Sequence, residues 1–388
     1  MKTKKHHKGN DTVQLTIKIK LIPMKEQKLY IQDTCLEYIK TVNDTVSLMV
    51  AENKSLKLTS KDIIANLPSA VKNQAIRDSK SVYSKYKKTK IQSFLKKPMC
   101  IWNNQNYSIG ENYIAFPVMI NGKSKKIKVK AIIEQYQKDL LTNKLGTLRI
   151  TKKANKLMAQ ISIDVVEKEN VNNKAMGIDL GLKIPAVAVT EDKKVKFFGN
   201  GRQNKYIKRK YRSLRKKLGK AKKINKIKSI NDKEQRYMKD QDHKISRGIV
   251  NFAIQNNISV IRLEKLTNIR NTAKTSRKNE KNLHTWSFYC LAQYIEYKAL
   301  LEGIKIEYVN PCNTSKQCPI CGKLNTAKDR KYQCSCGYKA HRDLNACINI
   351  INATVVDGNS LQAQDTIGTV LGRVLAYPWL EVILDYQK

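Results

Sequence analysis

A chain of 388 residues with 41% apolar side chains has room for two or three domains with cores of their own, which excludes a disordered protein. Lys and Arg number 75 against 32 Asp and Glu, and a compact chain tolerates the resulting net charge of +43 best when a polyanion neutralises it, so nucleic acid is the expected partner. No apolar run approaches a transmembrane span and Met1-Lys-Thr-Lys-Lys-His-His-Lys8 has no apolar signal core, so the expectation is a cytoplasmic protein without a membrane partner.

Residues 1–10 are polar and basic and read as a mobile arm. Thr12 to Leu21 alternates strictly, with Val13, Leu15, Ile17, Ile19 and Leu21 on one face, which predicts a half-buried strand ended by Pro23. From Lys25 to about Glu52, Leu29, Ile31, Leu36, Ile39, Val42, Val46 and Met49 recur at helical spacing. A second helix is expected from about Ser69 to Lys96, with Val71, Ala75, Ile76, Val82, Ile91 and Phe94 on its inner side. Its many lysines are either a solvated face or a nucleic-acid face.

Short β-rich pieces follow between Pro98 and Val166: Tyr107–Ile109, Tyr113–Pro117, Lys125–Lys130, Leu148–Thr151 and Leu157–Val166, with Asn121-Gly122 as a hairpin turn. They predict a small barrel or sandwich that includes the first strand and carries the two helices as an insertion. Glu167 to Lys174 reads as a linker.

Met176–Asp179, Ala186–Thr190 and Val195–Phe198 then form a three-strand meander. Gly201 to Arg247 holds 19 Lys/Arg against 4 Asp/Glu. Ile207, Tyr211, Leu214 and Leu218 mark one stripe of it and Lys208, Arg209, Arg212, Arg215 and Lys216 flank that stripe, as in a basic helical insertion that binds nucleic acid. A helix through Ile249–Ile254 leads to the strand Ile258–Leu263, which delivers Glu264. Asn268 to Asn282 reads as a mobile loop, Trp286–Leu301 as a helix and Ile304–Val309 as a strand. After a cysteine cluster, Asp343 opens a last helix through Leu344, Ile348 and Ile351. This order of elements is an α/β layer fold on a mixed sheet.

Asp179 within one strand, Glu264 at the end of another and Asp343 at the start of a helix can converge at one sheet edge. Three such carboxylates need a counter-charge, and two hard divalent cations would supply it and support hydrolysis of a phosphodiester. Each residue also has a bland reading. Asp179 could be a turn residue or the phosphate-site acid of a sugar-kinase-like ATPase, Glu264 a surface residue, and Asp343 a helix cap. Cys318-Pro-Ile-Cys321-Gly322 and Cys334-Ser-Cys336-Gly337 have the paired spacing of a four-thiolate zinc site, the glycines allowing tight knuckles. Cys35, Cys100, Cys290, Cys312 and Cys347 are scattered, which suits reduced thiols; Cys312 and His341 are spare ligands at most.

Gly177-Ile-Asp-Leu-Gly181, Ile261-Arg-Leu-Glu-Lys-Leu266, Asn313–Gly322, Cys334-Ser-Cys-Gly337 and His341-Arg-Asp-Leu-Asn-Ala346 together resemble the TnpB proteins of insertion sequences, relatives of the miniature type V CRISPR effectors. The resemblance spans most of Gly177 to Ile351, whereas the N-terminal half matches in layout alone. It implies an RNase H-like (RuvC) nuclease domain over 171–310 with the basic insertion at 201–247, a zinc ribbon at 311–340 and a last helix and tail at 341–388. Upstream it implies an N-terminal arm and first wedge strand (1–21), a helical recognition lobe (22–97) and the rest of a β-barrel wedge domain (98–170).

Asp179, Glu264 and Asp343 would be the catalytic acids, holding Mg²⁺ or Mn²⁺, with Zn²⁺ on Cys318, Cys321, Cys334 and Cys336. Arg342 joins the nucleic-acid-binding candidates. The implied partners are a guide RNA and a double-stranded DNA target cut beside a short motif read by the protein, on the nucleoid of a prokaryote; a monomer is favoured, with the oligomeric state left open by the sequence. One departure is His341, where the family often has Asp. Competing readings are a miniature CRISPR effector of the same fold, a guide-dependent repressor that does not cut, and the sugar kinase.

Overall fold

The computed structural model describes residues 12–153, 156–230, 232–266 and 287–358. The arm expected at 1–10 and the loop expected over 268–282 lie outside these residues, as does the chain after 358. The fold divides at Val165–Val166 into two compact units.

The first unit is built on a seven-stranded sheet. Its strands are β1 (Thr12–Ile22), β2 (Met99–Trp102), β3 (Ser108–Ile109), β4 (Tyr113–Ile120), β5 (Lys123–Ile132), β6 (Lys144–Lys153) and β7 (Lys156–Val166), in the order β2-β6-β7-β1-β5-β4-β3. The alternation in β1 buries Leu15, Ile17, Ile19 and Leu21, and Asn121-Gly122 turns β4 into β5 with Ile120 opposite Lys123. The helices α1 (Lys25–Ala51) and α2 (Ser69–Thr89) pack on each other, and Tyr38 donates its hydroxyl to Asp78 at 2.8 Å across them.

Two expectations are corrected here. In α1, Ile31, Ile39, Val42, Val46 and Met49 are buried, whereas Leu29 and Leu36 fall one residue off that stripe and are exposed. The second helix ends at Thr89, because Lys90 turns left-handed (φ 56°), and Ile91 and Phe94 are exposed. The short strand β2 and a helix α3 (Gln135–Leu141) are present without having been expected.

The second unit holds a six-stranded mixed sheet: β8 (Lys174–Leu180), β9 (Ala186–Thr190), β10 (Val195–Phe198), β11 (Ile258–Glu264), β12 (Lys305–Val309) and β15 (Val355–Gly358), ordered β10-β9-β8-β11-β12-β15. The meander β8-β9-β10 is antiparallel, β11 and β12 run parallel to β8, and β15 closes the far edge antiparallel. One face is covered by α6 (Lys233–Gln255) and α7 (Phe288–Leu301), whose Ile249, Ala253, Leu291 and Ile295 share a core with Met176, Ile178, Ile261 and Ile306.

The other face carries α8 (Arg342–Asn352), which places Cys347 and Ile351 on Val187 and Val189 of β9. The basic insertion is α4 (Gly201–Lys220), a short α5 (Ile224–Ile230) and the first half of α6, which runs unbroken through the boundary expected near Arg247. Between β12 and α8 lies a small module with a two-stranded sheet, β13 (Lys331–Gln333) and β14 (Lys339–His341). No helix among the described residues is long and apolar enough to cross a membrane.

Candidate active site and metal centre

The buried run Ala175-Met-Gly-Ile178 makes β8 a central strand, and Asp179 near its end is the first polar side chain the chain presents there. In the parallel pair β8–β11, Ile178 lies opposite Leu263, so Asp179 and Glu264 follow as neighbours at the C-terminal ends of their strands. The third acid arrives from the facing helix. α8 comes so close to β8 that a Cβ on Gly177 would stand 2.3 Å from the Cys347 carbonyl oxygen, so glycine is required for the approach.

His341 is the N-cap of α8: its Nδ1 accepts the Asp343 backbone N–H at 3.3 Å. The capping role that Asp343 might have filled is thus taken by its neighbour. Asp343 is buried and ion-paired instead to Arg330 of the cysteine module, with the Arg342 Nε 3.6 Å from its other oxygen.

The three acids feel one another. Burial pushes Asp179 up to about 8, and the charges of Glu264 and Asp343 add to the rise while Arg342 and Arg330 oppose it. Burial also raises Glu264, partly offset by the Thr314 hydroxyl, which donates to its Oε1. Thr314 and Arg330 were not singled out from the sequence. Both lie just outside the cysteine knuckles, and that position beside a metal motif is the signal that could have found them.

Among the described residues, the four cysteines 318, 321, 334 and 336 are the one group of His, Cys, Asp or Glu donors in threes or more with ligand atoms all within 4.8 Å of one another. The carboxylates therefore stand wider apart.

In the thiol group, Cys318 and Cys336 sulfurs are 3.6 Å apart and those of Cys321 and Cys334 are 3.5 Å apart. Gly322 (φ 72°) and Gly337 (φ 90°) turn left-handed after each pair, freeing the chain to wrap the sulfurs. The backbone N–H of Cys336 leads the causes that lower Cys334, while the neighbouring Cys334 sulfur raises Cys336, so Cys334 is the thiol of this pair that gives up its proton first. Cys312 is exposed and lies outside the group, and His341 is committed to its cap.

The module is tied to the acids beyond the contacts of Thr314 and Arg330. Asn345 of α8 donates to the Gln317 carbonyl at 2.9 Å, and Asn349 donates to the Thr314 and Gln317 carbonyls, both at 2.7 Å.

The five basic candidates on α4 divide into two sets. Arg209, Arg212 and Lys216 are exposed, whereas Arg215 pairs with Glu234 of α6 and Lys208 is half-buried, its pKa lowered by burial against the pull of Asp242 and Glu234. Arg342 is partly exposed beside Asp343.

Residues 158–270 match the family described as Probable transposase (OrfB_IS605), and residues 288–350 match the domain described as Cas12f1-like, TNB domain. The TnpB-like protein MJ0751 of Methanocaldococcus jannaschii is 33% identical over 249 residues, which cover 60% of this chain and 88% of that protein. The chain belongs to the TnpB family. This TnpB-family chain is also 27% identical over 257 residues to the CRISPR-associated endodeoxyribonuclease Cas12f1 of Sulfoacidibacillus thermotolerans, covering 61% of the chain and 58% of that relative. Its fold is similar to that of Cas12f1 in a structure of the Cas12f1-sgRNA-target DNA complex, with TM-score 0.66 at 15% identity, over 89% of this chain and 99% of that one.

Proposed function

We propose that this TnpB-family protein is a transposon-encoded, RNA-guided DNA endonuclease that hydrolyses phosphodiester bonds at an RNase H-like (RuvC) site. The observation that carries the reading is the meeting of Asp179, Glu264 and Asp343 around the ends of β8 and β11, with Asp179 lifted to about 8. A buried acid beside two like charges is held in a site that calls for cations, and hard carboxylate oxygens suit Mg²⁺ or Mn²⁺. When bound, two such ions would stabilise the attacking and leaving oxygens of the phosphodiester. The four thiols of the cysteine module suit a single structural Zn²⁺.

The chain's own side chains have separate tasks in this reading. Asp179, Glu264 and Asp343 would hold the ions, Thr314 orients Glu264, and Arg330 orients Asp343. Arg342, with Arg209, Arg212 and Lys216 on α4, offers charge to the nucleic acid backbone.

The partners proposed are a guide RNA and double-stranded DNA, by analogy with the sgRNA and target DNA in the Cas12f1 structure. In the same reading the seven-stranded sheet is the barrel wedge, α1 and α2 the recognition lobe, and residues 311–340 a zinc ribbon. The match to the Cas12f1-like domain favours a second reading, a miniature type V CRISPR effector with the same chemistry, which a repeat array beside the gene would identify. Sequencing the RNA that co-purifies with the protein tests the guided reading. A discrete structured RNA ending in element-flanking sequence is expected; bulk cellular RNA would contradict it.

A further inference from the structure

The meander places an aromatic side chain in line with the catalytic acids. Phe197 of the edge strand β10 lies opposite Val187 of β9, and Val187 lies opposite Asp179 of β8. Residues directly opposed across a ladder share a face, so Phe197 and Asp179 project from the same side of the sheet. Two interstrand spacings separate them, roughly 10 Å. Val187 between them is buried under α8, whereas Phe197 is 48% exposed.

The N-terminal end of α8 runs over this row. His341 meets Phe197 edge-on, with ring centroids 5.8 Å apart and planes at 89°. The same His341 is held by the Asp343 backbone N–H, so the ring that braces Phe197 is fixed to the helix that carries the third acid. Arg342 follows His341 in the chain, its side chain 41% exposed and its Nε 3.6 Å from Asp343. His341, Arg342 and Asp343 are thus consecutive at the start of α8, and the first of them touches the exposed Phe197.

A single exposed phenylalanine is ordinary on a protein surface. What sets Phe197 apart is its register with Asp179 and its neighbours. On a chain of charge +43, an aromatic face beside an arginine matches the stacking platforms that hold unpaired bases while cations hold the backbone. An apolar peptide would find a cationic rim and buried acids here, a poor complement.

We propose that Phe197, braced by His341, is the platform on which an unpaired base next to the scissile phosphate stacks, while Arg342 contacts the backbone between that base and Asp179. The ligand class is single-stranded DNA, recognised by base shape and not by sequence. The inference rests on the endonuclease reading and adds a positioning role for Phe197.

The test uses the protein purified with its RNA, and compares the parent chain with Phe197→Ala and Phe197→Trp on a single-stranded oligodeoxynucleotide carrying one abasic position at a time around the cut. In the parent, one abasic position near the cut is expected to slow cutting about 10-fold, the scale of a lost base-aromatic stack. Phe197→Ala should raise KM for the intact strand about 10-fold and abolish the sensitivity to that abasic position, whereas Phe197→Trp should retain both. Equal behaviour of Phe197→Ala and the parent, or equal loss in Phe197→Trp and Phe197→Ala, would overturn the proposal.

Should the parent cut no DNA, the endonuclease reading fails on its own. Stacking is then read from the added emission of Phe197→Trp, which the intact oligonucleotide should quench more than its abasic form. Equal quenching by the two would overturn the stacking role.

Discussion

The two candidate metal groups are assembled in opposite ways. Four thiols are gathered from residues 318–336 by local turns, a two-stranded sheet and the buried Tyr332 between them. Three carboxylates are gathered from positions 179, 264 and 343 by the register of a six-stranded sheet and the close docking of α8. In the proposed reading the thiols would draw folding energy from a metal, since so small a module has little core, whereas the acids depend on the fold for their geometry. The two are also linked, because Thr314 and Arg330, on either side of the first cysteine pair, reach Glu264 and Asp343. Loss of the local site should therefore damage the distant one, while loss of an acid should leave the thiol site intact.

The largest expected effect comes from the thiol side. Structural zinc in small modules contributes about 10–16 kcal/mol of apparent binding energy, so chelation or Cys334→Ser should unfold residues 311–340 and abolish cutting. Limited proteolysis with and without chelator checks this, and an unchanged cleavage pattern and melting profile would break the proposed dependence.

A smaller effect is expected where the acids rely on packing. Gly177→Ala places a Cβ 2.3 Å from the Cys347 carbonyl oxygen and should push α8 away from β8. Overpacking of this kind costs about 1–3 kcal/mol, visible as a drop in Tm, with proteolysis of the cysteine module unchanged.

A pH effect is expected in the metal-free protein. Burial pushes Asp179 up to about 8 in the fold from the ordinary carboxylate value of 3.8, so between these values the native state binds more protons than the unfolded one. Stability should fall as pH rises from about 4 to about 8, and Asp179→Asn should flatten that slope. Denaturant titrations at several pH values would show it, and equal slopes for the two proteins would contradict the rise that burial gives Asp179.

The same contrast explains what could be read without coordinates. Cysteine spacing and knuckle glycines are local, so the thiol group was legible as it stands. The acids were legible as strand-end and helix-start residues because Met176–Asp179 and Ile258–Leu263 announce buried strands.

Thr314 and Arg330 were not legible, because their partners lie 50 and 13 residues away and nothing local marks a hydroxyl or guanidinium as aimed at a carboxylate. Periodicity also misjudged faces where two phases overlap: Leu29 and Leu36 fit a helical spacing, yet the buried stripe runs through Ile31, Tyr38, Val42 and Met49. The end of α2 at Lys90 was hidden for the opposite reason, since Lys90 is an ordinary helix former that adopts a left-handed turn here. The split among the basic residues of α4 depended on Glu234 and Asp242, which the later helix α6 supplies.

The central claim is that Asp179 is one corner of a catalytic carboxylate site. The most direct measurement is DNA cutting by the purified Asp179→Ala protein, with its co-purified RNA quantified in the same preparation. Loss of cutting with RNA binding retained is the expected result. Cutting at the parent rate by the RNA-loaded variant would contradict the claim.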